Sequence, residues 1–183
     1  SCREGRRQQR VESMKLEPML EKEGRIGDFI KPGDEIMVQI AKEAISTKGP
    51  RLTADISLAG RNVVLVPFSN KVFVSNKIRS NAAKKRLRKV AQEVLPQNFG
   101  VIIRTAAADA EDIDIMQDIL SLVERWNKTL ATMRKSEAPA RLMSEMSRVN
   151  TIIRDSLNDT FSQITVDDET MYNEIKSYVH AIK

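Results

Sequence analysis

A mixed α/β fold of the α+β kind is predicted from three observations. Before Ser75, short runs rich in β-branched residues lie between turn signals. A basic amphipathic stretch then separates two strand-like runs, as in a β-α-β unit. From Glu111 onward, apolar residues recur at helical spacing over long segments. The expected organisation is a β-rich N-terminal part, a mixed middle and a small helix-strand-helix tail.

Each element follows from its own pattern. Ser1 to about Gly27 is polar and charged, with no sustained period, and reads as a loop or insertion. After the Lys31-Pro32-Gly33-Asp34 turn signal, Ile36, Val38 and Ile40 fall at every second position, the pattern of a strand buried mainly on one face. Lys48-Gly49-Pro50 makes a turn, and Arg51 to Ser57 alternates as a second strand ending near Gly60. Val63 to Pro67 is a continuous apolar run suited to a buried strand, and Ser69-Asn70 turns the chain into another at Lys71 to Val74. Ser80 is placed to cap a helix whose inward residues are Ala83, Leu87, Val90, Ala91 and Val94, and Pro96 stops it. The run VIIRT is the next strand, expected beside the one before the helix.

A long helix is expected from about Glu111 to Arg134, with Ile113, Met116, Ile119 or Leu120, Val123, Trp126, Leu130 and Met133 on its inward face; this Met and Trp stripe reads as core. Another is expected from about Arg141 to Leu157, presenting Leu142, Met146, Val149, Ile153 and Leu157. Ile164 to Val166 reads as a short strand. A last helix, capped by Asp167 or Asp168, carries Met171, Ile175, Val179 and Ile182 to the final residues without a stop signal. That ending, and a start at SCREGRRQQR without methionine, lead us to expect a piece of a longer protein.

Composition narrows the chemistry. With 183 residues, 41% of them hydrophobic, the chain can bury one ordinary core or two small ones. No run approaches the ~20 apolar residues of a membrane helix, and no apolar secretory segment opens the chain, so a soluble, cytoplasmic protein is expected. A single cysteine, Cys2, and a single histidine, His180, argue against a disulfide or a structural zinc site. Cations are unevenly placed. Lys77, Arg79, Lys84, Lys85, Arg86, Arg88 and Lys89 form one cluster, for which a solvated helix face and a phosphate-contacting face both stay open. Arg3, Arg6, Arg7 and Arg10 form another, which reads first as a solvated tail.

No phosphate-cradling G-x-x-x-x-G-K-[ST] loop, dinucleotide fingerprint, serine elbow or pair of histidines occurs. Acidic clusters at Asp109, Glu111, Asp112, Asp114 and at Asp167, Asp168, Glu169 stand at expected helix starts. Dipole and capping interactions account for them better than a metal does.

Two long segments nonetheless carry a signature. They are KPGDEIMVQIAKEAISTKGPRLTADISLAGRNVVLVP and FGVIIRTAAADAEDIDIMQDILSLVERW, with the motifs K-P-G-x-E, T-K-G-x-R-L-T, S-L-x-G-R, V-L-x-P and G-x-I-x-R-T-A. These resemble the RNase E/RNase G family, more weakly through RDSLNDTFSQITVDDETMYNEI to the C-terminus. The I-S-T-K-G-P-R-L-T wording and the inserted KLEPMLEKEG segment are most similar to members from the Bacteroidetes group.

The resemblance implies residues 1-54 as the end of an S1-class, OB-type RNA-binding domain with a polar insertion. It likewise implies 55-149 as an α/β 5′-sensor domain and 150-183 as part of an RNase H-like domain. The early barrel strands, the zinc-link cysteines and the Mg²⁺-binding aspartates of the catalytic domain would lie outside this chain. No catalytic residue or metal ligand is therefore expected within it, and Mg²⁺ belongs to the parent enzyme. Carried over by motif, a 5′-monophosphate pocket falls on Gly60, Val64, Arg104 and Thr105, and RNA contacts fall on Lys48, Arg51 and Lys77. The implied partner is single-stranded RNA with a 5′-monophosphate, bound by a homo-oligomeric parent endoribonuclease of ribosomal RNA processing and messenger RNA decay.

Two departures from the family pattern stand out. Ala107, Ala108 and Asp109 replace the usual residues after R-T-A, and Asn76-Lys77 stands where two arginines are common. The rival readings are a scaffold module, suggested by the long helices and by the axial-filament name of some members, and a stand-alone enzyme using Asp167 and Asp168.

Overall fold

The computed structural model describes residues 24–144, 148–157 and 160–181. They divide into two compact units, one ending at Leu142 and one beginning at Met143. The first unit is α+β. A two-stranded antiparallel sheet pairs β1 (Gln39–Lys42) with β2 (Arg51–Thr53). A mixed four-stranded sheet contains β3 (Leu58–Ala59), β4 (Val63–Pro67), β5 (Val72–Val74) and β6 (Phe99–Ile103) in the order β3-β4-β6-β5. β4 is antiparallel to both its neighbours, whereas β5 runs parallel to β6.

That parallel pair requires a crossover, and α1 (Asn81–Val94) supplies it. Its start is where the sequence puts it: the Ser80 hydroxyl accepts from the Ala83 amide at 3.2 Å. Leu87, Val90 and Ala91 are buried beneath it. Alternation along β4 and β6 sends Val63, Leu65, Val101 and Ile103 to the helix-covered face, all fully buried. Val64, Ile102 and Phe73 share the other face, where Ile102 is 42% and Phe73 54% exposed.

α2 (Asp112–Lys135) completes the core, but along a different track from the expected one. Ile115, Ile119, Leu122, Trp126 and Thr129 are buried, while Ile113 and Leu120 are exposed. The sequence offers two overlapping apolar stripes on this helix, and packing against the sheet selects the one centred on Ile119. Trp126 meets the Phe68 ring edge-on, with centroids 5.6 Å apart. On the outer surface, Lys128 bonds Glu124 one turn back at 2.7 Å, which holds that carboxyl below its ordinary pKa.

Three strand expectations need correction. Ile36 and Val38 precede the first strand, and Ile40 within it is exposed, as is Leu52 opposite. A two-stranded ribbon has no second layer against which one face could be buried. Arg51 to Ser57 is strand only as far as Thr53; the chain then bends, and Gln39 clamps the bend by exchanging hydrogen bonds with Ser57, 2.9 and 3.1 Å. Ile164 to Val166 is irregular backbone, because the described neighbours in its unit are helices that offer no ladder partner.

The second unit pairs α3 (Arg148–Ser156) with α4 (Glu169–Ala181). Ile153 and Ile175 are buried. The helix expected from Arg141 begins later, Leu142 standing outside it, and Met146 and Ile182 lie outside the described residues. Asp168, not Asp167, caps α4 by accepting from the Met171 amide at 2.7 Å. His180 is exposed. No helix among the described residues is long and apolar enough to cross a membrane. The Arg3 to Arg10 cluster and Cys2 lie outside the described residues.

Candidate phosphate-binding site

The parallel strands β5 and β6 end together, at Val74 and Ile103, beside the turn that joins β3 to β4. In open α/β sheets the carboxyl ends of parallel strands are where ligands commonly bind, because side chains and loop backbone converge there. Here three segments converge: Gly60 to Val63, Ser75, and Arg104-Thr105. The turn is closed by the Gly60 amide donating to the Val63 carbonyl at 2.8 Å, and the Arg104 amide donates to the Asn62 carbonyl at 2.8 Å.

Arg104 is half-buried and reaches back over this turn. Its Nη1 donates to the Gly60 carbonyl at 2.8 Å and more distantly to that of Arg61, 3.4 Å. A guanidinium is a rigid planar fork, so anchoring one amino nitrogen fixes the plane of the whole group. Thr105 begins a 3-10 turn, Thr105–Ala108, that the buried Ala107 pins to the core. Its hydroxyl lies 3.2 Å from the Ser75 hydroxyl, and the Ser75 amide donates to the Ile103 carbonyl.

Gly60 is buried, and its missing side chain has a structural reason. A Cβ there would stand 2.6 Å from Asp118 Oδ2 and 2.8 Å from Cγ. The same carboxylate accepts from the Asn62 amide at 2.7 Å and the Val63 amide at 3.1 Å. Asp118 thus shapes the turn whose carbonyl holds Arg104. Residue-type reasoning did not single it out. The available signal was a lone carboxylate on the inward stripe of α2, flanked by the buried Ile115, Ile119 and Leu122.

Gly60, Arg104 and Thr105 are therefore brought together. Val64 is four residues beyond Gly60 on the open sheet face, paired with Ala59 on one side and Ile102 on the other. Lys77 lies close by, its amide donating to the Ser75 hydroxyl at 3.3 Å. Lys48 and Arg51 belong to the separate β1–β2 hairpin, where Lys48 closes a tight turn with Ile45 and Arg51 pairs with Lys42. In chemical terms, a guanidinium and two hydroxyls grouped at strand ends suit the holding of an anion.

Comparison with known proteins places the chain among ribonucleases. Residues 57–183, more than half of the chain, match the model of the ribonuclease E/G family. Ribonuclease E of Nostoc sp. PCC 7120 is 32% identical over 154 residues, 84% of this chain and 22% of that protein. Ribonuclease G of Escherichia coli K12 is 31% identical over 153 residues, 84% of this chain and 31% of the relative. A ribonuclease E/G-like protein of Pyropia yezoensis is 33% identical over 146 residues, 80% and 29% respectively. The chain belongs to the ribonuclease E/G family. It spans less than a third of the length of these relatives.

Proposed function

We propose that this chain is the RNA-binding, 5′-monophosphate-sensing portion of a single-strand-specific cytoplasmic endoribonuclease that processes ribosomal RNA and degrades messenger RNA. Arg104 carries the reading. Its guanidinium is held on the Gly60 carbonyl, and the residue that follows it, Thr105, has its hydroxyl 3.2 Å from that of Ser75. A terminal phosphoryl group would take charge-assisted hydrogen bonds from this set, and a 5′-triphosphate would bring further bulk and charge to the same place. The first nucleoside would lie along the open sheet face, over Val64, Ile102 and Phe73.

Within the parent enzyme, residues 1-54 would close an S1-class barrel and 150-183 would belong to an RNase H-like domain. The exposed apolar residues Ile40 and Leu52 fit a ribbon that gains its partner strands elsewhere. Lys48 and Arg51 on that ribbon would touch RNA. Catalysis, with its Mg²⁺, would reside outside this chain in a homo-oligomeric parent. Occupancy of the pocket matters to cleavage only through differential affinity for two enzyme states.

The test compares binding of oligoribonucleotides with a 5′-monophosphate or a 5′-hydroxyl. We expect the phosphate to tighten binding by about tenfold, the order of one good charged hydrogen-bonding contact. Both Arg104→Lys, which loses the fork, and Thr105→Val should erode that preference. Equal affinity for the two ends would remove the sensing function and leave a scaffold module.

A further inference from the structure

We infer that the outer face of α1 is a track for the sugar-phosphate backbone of single-stranded RNA, separate from the site that holds its end. The inference rests on the RNA-binding part of the reading above, not on end recognition. Asn81, Lys84, Lys85, Arg88, Lys89 and Gln92 form two adjacent helical rows, 81-84-88-92 and 81-85-89-92, whose steps are three or four residues, and together they line a shallow surface concavity. This spacing places four cations on one stripe, flanked by an amide at each end and opposite the buried Leu87, Val90 and Ala91.

The stripe is arranged against the helix that carries it. Lys84 and Lys85 lie near the N-terminus, where the dipole favours anions, and the first turn of α1 holds no acidic residue. No basic residue stands in its last turn, where cations would be favoured. Lys84 with Arg88, and Lys85 with Lys89, are like-charged pairs one turn apart, which repel in the free helix. Glu93 is the lone acid of the helix and reaches Lys89 only at 3.9 Å. A face selected for solvation alone would have mixed signs; this one is relieved by a polyanion, which replaces the repulsion with phosphate contacts and releases counterions.

Arg86 stands apart from this stripe and has a structural task. Its Nη1 pairs with Asp112 at 2.9 Å, and Nη2 donates to the Ala108 and Ala110 carbonyls at 3.3 Å. That tether fixes α1 to the segment following Arg104 and Thr105. Lys77 and Arg79, between Ser75 and the start of α1, extend the positive surface from the end site toward the helix. An RNA strand whose terminus sits at Arg104 would thus meet further cations along its backbone.

The experiment measures RNA affinity of the full chain against salt, for oligoribonucleotides with either 5′ end. K84Q/K85Q/R88Q/K89Q is expected to make the slope of log affinity against log salt shallower by about 2 to 3, at roughly 0.7 for each phosphate no longer neutralised. Affinity at low salt should fall at least about tenfold, equally for both ends, so the ratio between ends persists. Circular dichroism checks that the helix survives; if the quadruple variant does not fold, R88Q/K89Q should give about half the change in slope. The charge-matched pair R134Q/K135Q on α2 should give less. A slope equal to that of the unsubstituted chain, or the same change from R134Q/K135Q as from R88Q/K89Q, overturns the track. If the unsubstituted chain shows no end preference while the α1 variants still flatten the slope, end sensing fails and the track stands.

Discussion

Gly60 and Asp118 are 58 positions apart in the chain yet compete for the same few ångströms. Alanine at 60 would push its Cβ into the Asp118 carboxylate, so G60A should cost about 1–3 kcal/mol, as overpacking does. Asp118→Ala has a different cause and a similar size. It removes the acceptor of the Asn62 and Val63 amides, and two part-buried donors left unsatisfied cost about 2–4 kcal/mol together. Urea unfolding measures both losses. Asp118→Asn keeps the shape and one oxygen acceptor, so it should retain more stability than alanine. If Asp118 positions Arg104, either Asp118 variant also lowers the preference for a 5′-phosphate while leaving the salt dependence of RNA binding unchanged. Arg104, Thr105 and Gly60 were legible as residues of interest because their motifs are local; Asp118 was not, because its role depends on a turn distant in sequence.

Among the elements, α1 was the most legible, since its cap, apolar stripe and proline stop all agree. Ser80→Ala should therefore destabilise the first unit by about 1 kcal/mol, the usual worth of an N-cap hydroxyl, read as a lower urea midpoint at constant m-value. No change would mean that the Ser80–Ala83 bond contributes nothing net. The strands were less legible. β4 and β6 are recognisable because burial on the helix side demands continuous or alternating apolar residues, whereas Ala54 to Ser57 and Ile164 to Val166 show that a strand-like pattern does not make a strand without a partner. On α2 the period was evident and the phase was not. Helical spacing permits two adjacent stripes, and only the position of the sheet decides that Ile115 and Ile119 go in while Ile113 stays out.

The chain combines an α+β unit, in which Gly60, Arg104, Thr105 and Ser75 stand at strand ends, with a small helical unit, and it belongs to a family of ribonucleases. Because the parent's cleavage chemistry is proposed to reside elsewhere, the chain alone should bind a 5′-monophosphorylated oligoribonucleotide with Mg²⁺ present and leave it intact. Specific internal cuts on a sequencing gel, abolished by D167A and D168A, would instead support catalysis from the acidic pair before α4. Asp168 already has a structural use there, capping the helix through the Met171 amide. Family, element order and the basic character of α1 were determined by the sequence alone, because motifs, periodicity and charge are properties of neighbouring residues. Tertiary structure decided which stripe of α2 is buried, which carboxylate shapes the Gly60 turn, that Arg104 meets the Gly60 carbonyl and that Thr105 meets Ser75. Those outcomes depend on contacts between segments 30 or more residues apart, and no local pattern encodes their geometry.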